Sequence, residues 1–219
     1  MTSISPIVNH PQNTPELNVI SERRHFQKFP NEYLVETGSC VGDGCIDMIL
    51  CKKHRRMITL EVEPENFAIT SVVTLNYNME SFEKFGTGPI IEVFNDSSKN
   101  LLKYIANIKY GITYWLDAHD SCLTPNFKFE EKSSLLFELD AIWERHNSGL
   151  GKQVIQNDVI LIDDVRLINE KDFGFTMETV LEKLGKINPE FIITYLDGEV
   201  KNDILCCHTK KYSEKLNLV

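Results

Sequence analysis

Short apolar runs alternate with longer stretches along most of the chain. The runs are Tyr33-Leu34-Val35, Met57-Ile58-Thr59-Leu60-Glu61, Ile90-Ile91-Glu92-Val93-Phe94, Ile112-Thr113-Tyr114-Trp115-Leu116, Val159-Ile160-Leu161-Ile162, Phe191-Ile192-Ile193-Thr194-Tyr195 and Ile204-Leu205-Cys206-Cys207. Each is short and rich in β-branched or aromatic residues, so each predicts a strand. Helix-length stretches lie between them. One runs from Gly42 to about Arg55, and one from Pro64 to Phe85, entered by Pro-Glu as a helix start would be. Another covers roughly Ser98 to Ile108. In 133–147, Leu135, Leu136, Leu139, Ile142 and Trp143 recur at helical spacing, and a last helix spans Met177 to Lys186. Strands alternating with helices predict an α/β fold, a parallel sheet covered on both faces. Only the short polar segment around Asp197-Gly198-Glu199 joins the last two runs. That is a hairpin connection, so the seventh strand should run antiparallel.

Composition narrows the class. The 219 residues are 42% hydrophobic, enough for a full core, and six cysteines are too sparse for a disulfide scaffold. Residues 1–20, with three prolines and many Asn, Ser and Thr, read as an N-terminal arm, leaving 21–219 as one domain. The N-terminus has no basic and apolar signal segment, and no apolar run approaches the roughly 20 residues that cross a bilayer. Lys and Arg number 23 against 32 acids, a formal charge of −9, which disfavours nucleic-acid backbone. Cysteine spacing matches no zinc or secreted frame, so buried reduced thiols and a cytoplasmic location are expected. Gly149-Leu150-Gly151-Lys152 lacks a phosphate-loop frame and reads as a surface loop. Trp143 and His146 read as packing and surface positions.

In a doubly wound sheet, ligands bind beyond the carboxyl ends of the strands. The first run continues into Glu36-Thr37-Gly38-Ser39-Cys40-Val41-Gly42-Asp43-Gly44, a glycine-rich turn into a helix, which allows close backbone approach to a ligand. Glu61 ends the second run; it suits a ribose diol or a helix N-terminus. Asp96, after the third, would accept from an exocyclic amine or cap a helix. The fourth ends in Asp117-Ala118-His119-Asp120 and the fifth in Asp163-Asp164-Val165-Arg166. Carboxylates gathered at neighbouring strand ends repel, and a hard divalent cation would relieve them. Helix capping and pairing with Arg166 are the plainer reading.

These segments, in this order, resemble class I S-adenosylmethionine-dependent methyltransferases from about residue 30 onward. The closer likeness is to small methyltransferase-like proteins of large DNA viruses and some bacteria, on the motifs Glu36-Thr37-Gly38, Trp115-Leu116-Asp117-Ala118-His119 and Ile162-Asp163-Asp164-Val165-Arg166. The paired Asp163-Asp164 also looks like the metal-dependent macrocin-type sugar O-methyltransferases. The resemblance implies a Rossmann-like seven-stranded methyltransferase sheet binding S-adenosyl-L-methionine. It places Gly38, Gly42 and Gly44 (with Thr37) under the methionine moiety and Glu36 near its amino group. Glu61 would hold the ribose, and Asp96 and Ser97 would face the adenine. Asp117, beside the cofactor, joins Asp163 and Asp164 as ligands of a divalent cation, Mg or Mn. Catechol-type enzymes have a lysine base where this chain has Asp120, so His119 is taken as the catalytic base.

The expected acceptor is a hydroxyl of a sugar or glycan. Nucleic acid and membrane are not expected partners, a homo-oligomer is compatible, and the viral likeness implies host cytoplasm. Two other classes compete: a metal-dependent nucleotide-sugar glycosyltransferase, in which paired aspartates hold a diphosphate, and a non-catalytic binding module on the same fold.

Overall fold

In the computed structural model, the residues described are 25–26, 28–51, 53–85, 90–119 and 132–216. The N-terminal arm, Asp120 and Cys122 lie outside them. Seven strands form one sheet: β1 (Tyr33–Thr37), β2 (Arg56–Glu61), β3 (Ile90–Asn95), β4 (Ile112–Leu116), β5 (Val159–Ile162), β6 (Phe191–Leu196) and β7 (Ile204–Thr209). Their order is β3-β2-β1-β4-β5-β7-β6. β1 to β5 are mutually parallel, and β7 runs antiparallel to both β5 and β6, as the hairpin connection requires.

Alternation along the strands sorts the core into two layers. Val35, Ile58, Leu60, Tyr114, Leu116, Ile160 and Ile162 face one side. There they meet α3 (Leu101–Ile105), α4 (Leu135–Asn147) and α6 (Met177–Ile187), through Leu101, Leu139 and Leu184 among others. Leu34, Met57, Ile91, Trp115, Leu161 and Cys206 face the other. That side is covered by α1 (Asp43–Cys51), α2 (Pro64–Phe85) and α7 (Lys210–Leu216), through Cys45, Tyr77 and Tyr212.

Several boundaries differ from the sequence reading. β1 continues through Glu36 and Thr37, so both sit inside the sheet rather than in the turn. α1 stops at Cys51, short of Arg55, and His54 turns inward instead; its ring nitrogens face the carbonyl oxygens of Asn31 (3.1 Å) and Phe26 (3.3 Å). The stretch after β3 splits into a 3₁₀ turn (Ser98–Asn100) and the short α3. The short α5 (Lys152–Ile155) and α7 were not legible as helices.

The floor of the sheet is fastened by a buried ion pair. Arg145 of α4 pairs with Asp158 and donates to the carbonyls of Ile108 (3.1 Å) and Tyr110 (2.8 Å). Asp158 also accepts from the Ile112 amide (2.9 Å) and meets His146 (2.9 Å), so His146 is a buried partner while Trp143 is exposed. Cys206 and Cys207 are buried and reduced; burial pushes the Cys206 thiol up to about 12, which fits packing rather than reactivity.

Candidate active site

β1 lies between β2 and β4, and the chain winds outward in both directions from there. The β1/β4 junction is therefore the switch point at which such sheets open a crevice. Two glycines line its first wall for distinct reasons. Gly38 has φ +79°, and a Cβ there would lie 2.7 Å from the Asp117 carbonyl oxygen, so only glycine lets the β1 tip pass the β4 tip. Gly44, in the first turn of α1, sits on Glu36: a Cβ would lie 1.7 Å from Glu36 Oε1. Glu36 is buried beneath it and accepts from Thr59 Oγ1 at 2.7 Å. Gly42 (φ +92°) turns the chain into α1 against Thr70.

Glu61 ends β2 with both carboxylate oxygens engaged. It accepts from the Cys40 amide (2.7 Å) and the Glu63 amide (2.9 Å), tying the glycine loop to the β2 tip. Burial raises its pKa and outweighs these bonds. Asp96 accepts from Tyr104 Oη (2.6 Å), the Ser97 amide (2.8 Å), Asn100 Nδ2 (2.8 Å) and Lys103 Nζ (3.3 Å). The Tyr104 bond does most to lower its pKa, to about 2. Here Asp96 fastens the helical turns after β3, the capping role, and Ser97 caps the 3₁₀ turn.

The acids of β4 and β5 meet through Asp164, and the expected trio splits: Asp117 shares a group with His119 and Asp164, Asp163 with Asp164 and Asp203. His119 Nε2 lies 2.6 Å from Asp164 Oδ2 and 3.5 Å from Asp117 Oδ1. Asp163 Oδ1 accepts from the Asp164 amide at 2.8 Å, and Asp164 holds a left-handed φ of +54°, which turns its side chain back over the strand tips. Arg166 pairs with Asp164 (2.7 Å), Asp203 and Glu199. Burial works against the Asp164 charge, yet His119 and Arg166 together hold its pKa below the usual carboxylate range. Possible ligand atoms of Asp117, His119 and Asp164 lie within 4.8 Å of one another, as do those of Asp163, Asp164 and Asp203.

Two members of this site escaped the sequence reading. Asp203 arrives because β7 is antiparallel: its first residue, Ile204, lies at the carboxyl end of β5, so the residue before it joins the acids there. An acid immediately preceding a reversed strand was the available signal. Glu138 comes from α4, in line with buried Leu135, Leu139 and Ile142. Both its carboxylate oxygens are buried without a well-formed hydrogen bond, near Ser98, Thr37 and the charges of Asp117 and His119, and burial pushes its pKa up to about 7. An acid on a helix's apolar stripe was the signal for it.

Glu138 and His54 make opposing contributions to stability against pH. Burial lowers the His54 pKa from 6.5 to about 4, so unfolded chains bind the extra proton between those values and acid destabilises by up to about 3 kcal/mol. Glu138 is raised from 4.5 to about 7, so there the native state binds the extra proton, and stability falls by a similar amount, about 3 kcal/mol, as pH rises through that window. Between 4.5 and 6.5 the two slopes nearly cancel. In urea unfolding with chelator present, Glu138→Gln should expose loss of stability on acidification. His54→Gln should expose the reverse slope. Parallel profiles for the two variants would contradict these assignments.

The chain matches no protein-family model and no curated protein. Solved structures do share its architecture. One is a putative rRNA-methylase from Clostridium thermocellum, with TM-score 0.57 and 15% identity over 90% of this chain and 99% of that one. Another is cofactor-bound Rv0187 from MTB, with TM-score 0.52 and 13% identity over 90% and 83% of the two chains. The chain shares the fold of these structures, a Rossmann-like seven-stranded sheet. The seven strands, the reversed β7 and helices on both faces agree with the expected fold class. No helix among the described residues is long and apolar enough to cross a membrane.

Proposed function

We propose that this protein is an S-adenosylmethionine-dependent O-methyltransferase that acts on a hydroxyl of a sugar or glycan with the help of a divalent cation. One observation carries the reading: at the carboxyl tips of β4 and β5, Asp164 lies in one group with Asp117 and His119 and in a second with Asp163 and Asp203, next to the glycine loop that follows β1. Gly38, Gly42 and Gly44 would give the donor's methionine part a close backbone wall, with Thr37 and Glu36 behind it. Glu61 would take the ribose on the lone pairs its amide partners leave, and Asp96 and Ser97 would border the adenine. Asp164 would be the shared ligand, with Asp117 on one side and Asp163 on the other, hard oxygen donors with an excess of negative charge that suit Mg²⁺ or Mn²⁺. When bound, such an ion lowers the pKa of a hydroxyl held on it.

In the transfer, the acceptor oxygen attacks the methyl carbon, the carbon–sulfur bond breaks, and its electron pair stays on sulfur. The sulfonium is already activated, so alignment is the protein's main task, worth roughly 7–11 kcal/mol. The hydroxyl proton passes to the His119 imidazole, and Asp164 at 2.6 Å stabilises the resulting cation. His119→Ala should then lower kcat by about 10²–10⁴ and leave S-adenosylhomocysteine affinity unchanged. Restoration of the rate at alkaline pH supports the base role; a loss that instead follows metal occupancy makes His119 a positioning residue.

The reading as a whole is tested by calorimetry with S-adenosylhomocysteine and with UDP- or GDP-sugars, with and without Mg²⁺, followed by methylation assays on glycan extracts. Binding of the homocysteine product and chelator-sensitive methylation are expected. Preference for the nucleotide sugar would make the protein a glycosyltransferase, and cofactor binding without any methylated product would make it a binding module.

A further inference from the structure

The carboxyl end of the sheet gathers acids; its amino end gathers cations around a cavity. At the amino ends of β1, β2 and β4 this cavity has a volume of about 540 Å³, usual for a small-molecule site. Lys53 and Arg55, just before β2, Lys109, just before β4, and Lys215 of α7 line it from separate parts of the chain. Glu32 is the one acid among the described residues that line it. It pairs with Arg55 at 3.6 Å, while Lys53, Lys109 and Lys215 have no ion pair or hydrogen bond to any described residue. Like charges brought together repel. A chain with 32 acids against 23 Lys and Arg has acids to spare, yet it leaves these three unanswered. The floor beneath them is stiff. Asn31 Nδ2 donates to the Asn157 carbonyl (2.7 Å) and to Thr113 Oγ1 (3.2 Å). A Cβ on Gly111 would lie 2.7 Å from Asn157 Cβ and 2.8 Å from Asn31 Oδ1, so the loop before β4 fits only as glycine. Arg145 holds the Tyr110 carbonyl, and the Tyr110 ring stacks on Tyr33 (6.1 Å, 25°).

We propose that this cavity binds a small polyphosphate anion, free or carried by a nucleotide. Phosphate oxygens accept from lysine ammonium groups as point charges and from the Arg55 guanidinium in pairs. The charge count selects a di- or triphosphate. A single carboxylate would leave two of the three unpaired ammonium groups facing each other. Size and charge set the ligand apart from nucleic acid. The cavity takes a ligand of small-molecule size, and a longer phosphate chain leaving it would run along a protein of formal charge −9. A nucleobase carried by the phosphates would lie on the exposed Tyr110 ring at the cavity wall. The site uses none of the β4 and β5 acids, so it stands whether or not the chain transfers methyl groups.

Calorimetry of the full chain with sodium tripolyphosphate, at low salt and with a chelator present, tests this. Saturable binding at a single site is expected, weakening as salt rises. Lys53→Gln and Lys109→Gln should each weaken it about tenfold with the circular dichroism spectrum unchanged. Lys186→Gln, on α6 outside the cavity, should leave it as it was. Saturating S-adenosylhomocysteine should not displace the anion. The same titration with ATP and with adenosine separates the sources: ATP binding more tightly than tripolyphosphate assigns a nucleotide, and ATP binding no more tightly assigns the anion by itself. Absence of saturable binding overturns the proposal. So does binding that both Gln variants leave intact, displacement by S-adenosylhomocysteine, adenosine binding as tightly as ATP, or a single-stranded oligonucleotide binding more tightly than either anion.

Discussion

Asp164→Asn should reduce methyl transfer by at least about a thousandfold while S-adenosylhomocysteine affinity stays within about twofold. The substitution suits the question because it changes charge and little else. Asn tolerates the left-handed backbone at this position, where the observed φ is +54°, whereas most residues would add strain. Arg166 keeps Asp203 and Glu199 as partners, so the variant should fold. What it loses is the charge that His119 and Arg166 share and that a divalent ion would require. The glycine wall and Glu61 lie on β1 and β2, away from the change, so donor binding is spared. Product mass spectrometry and calorimetry on one preparation check both halves. Unreduced turnover would remove Asp164 from the chemistry; loss of cofactor binding would move it to the donor pocket.

Gly38→Ala should do the opposite, removing cofactor binding first. The added methyl meets backbone, the Asp117 carbonyl oxygen at 2.7 Å and the Ala118 Cα at 3.1 Å, so no side chain can swing aside. Relief requires the β1 and β4 tips to part at the crevice itself. The left-handed φ of +79° adds a cost of about 1 kcal/mol for a residue with a Cβ. The expected outcome is a loss of about 2–4 kcal/mol in unfolding free energy and of at least about a hundredfold in S-adenosylhomocysteine affinity. Gly149→Ala is the control. Its φ is also positive at +85°, but a Cβ there meets nothing within 4 Å, so only the backbone term should appear. Equal effects at the two positions would mean that steric approach at Gly38 is not what the site depends on.

The strand pattern was readable because the strands are apolar runs with β-branched or aromatic residues and all but β7 stop at Gly, Asp, Asn or Glu, a local signal with a local cause. The approach of Asp117 to Asp164 followed from topology, since neighbouring parallel strands end on one side, but Asp163 groups with Asp164 and Asp203 and not with Asp117. Asp203 did not follow, because its arrival depends on which neighbour the reversed β7 chooses: it pairs with β5, inside β6. The orientation of α2 was hidden for a related reason. Its apolar period predicts a helix equally well whichever face meets the sheet, and tertiary packing turned Thr70, Thr74 and Tyr77 inward. Asp96 shows the limit at single residues. Its position suits an adenine contact and a cap, and the bond network displays the cap.

The proposed function requires the β4 and β5 acids and the donor's sulfonium methyl to share one crevice. The most direct measurement is nuclear relaxation of S-adenosylmethionine carrying an isotopically labelled methyl group, bound to the protein with and without Mn²⁺. Mn²⁺ should broaden the methyl resonance severely in the wild type and leave it sharp in Asp164→Asn. A methyl signal that stays sharp with Mn²⁺ bound to the wild type would separate the acids from the donor and contradict the account.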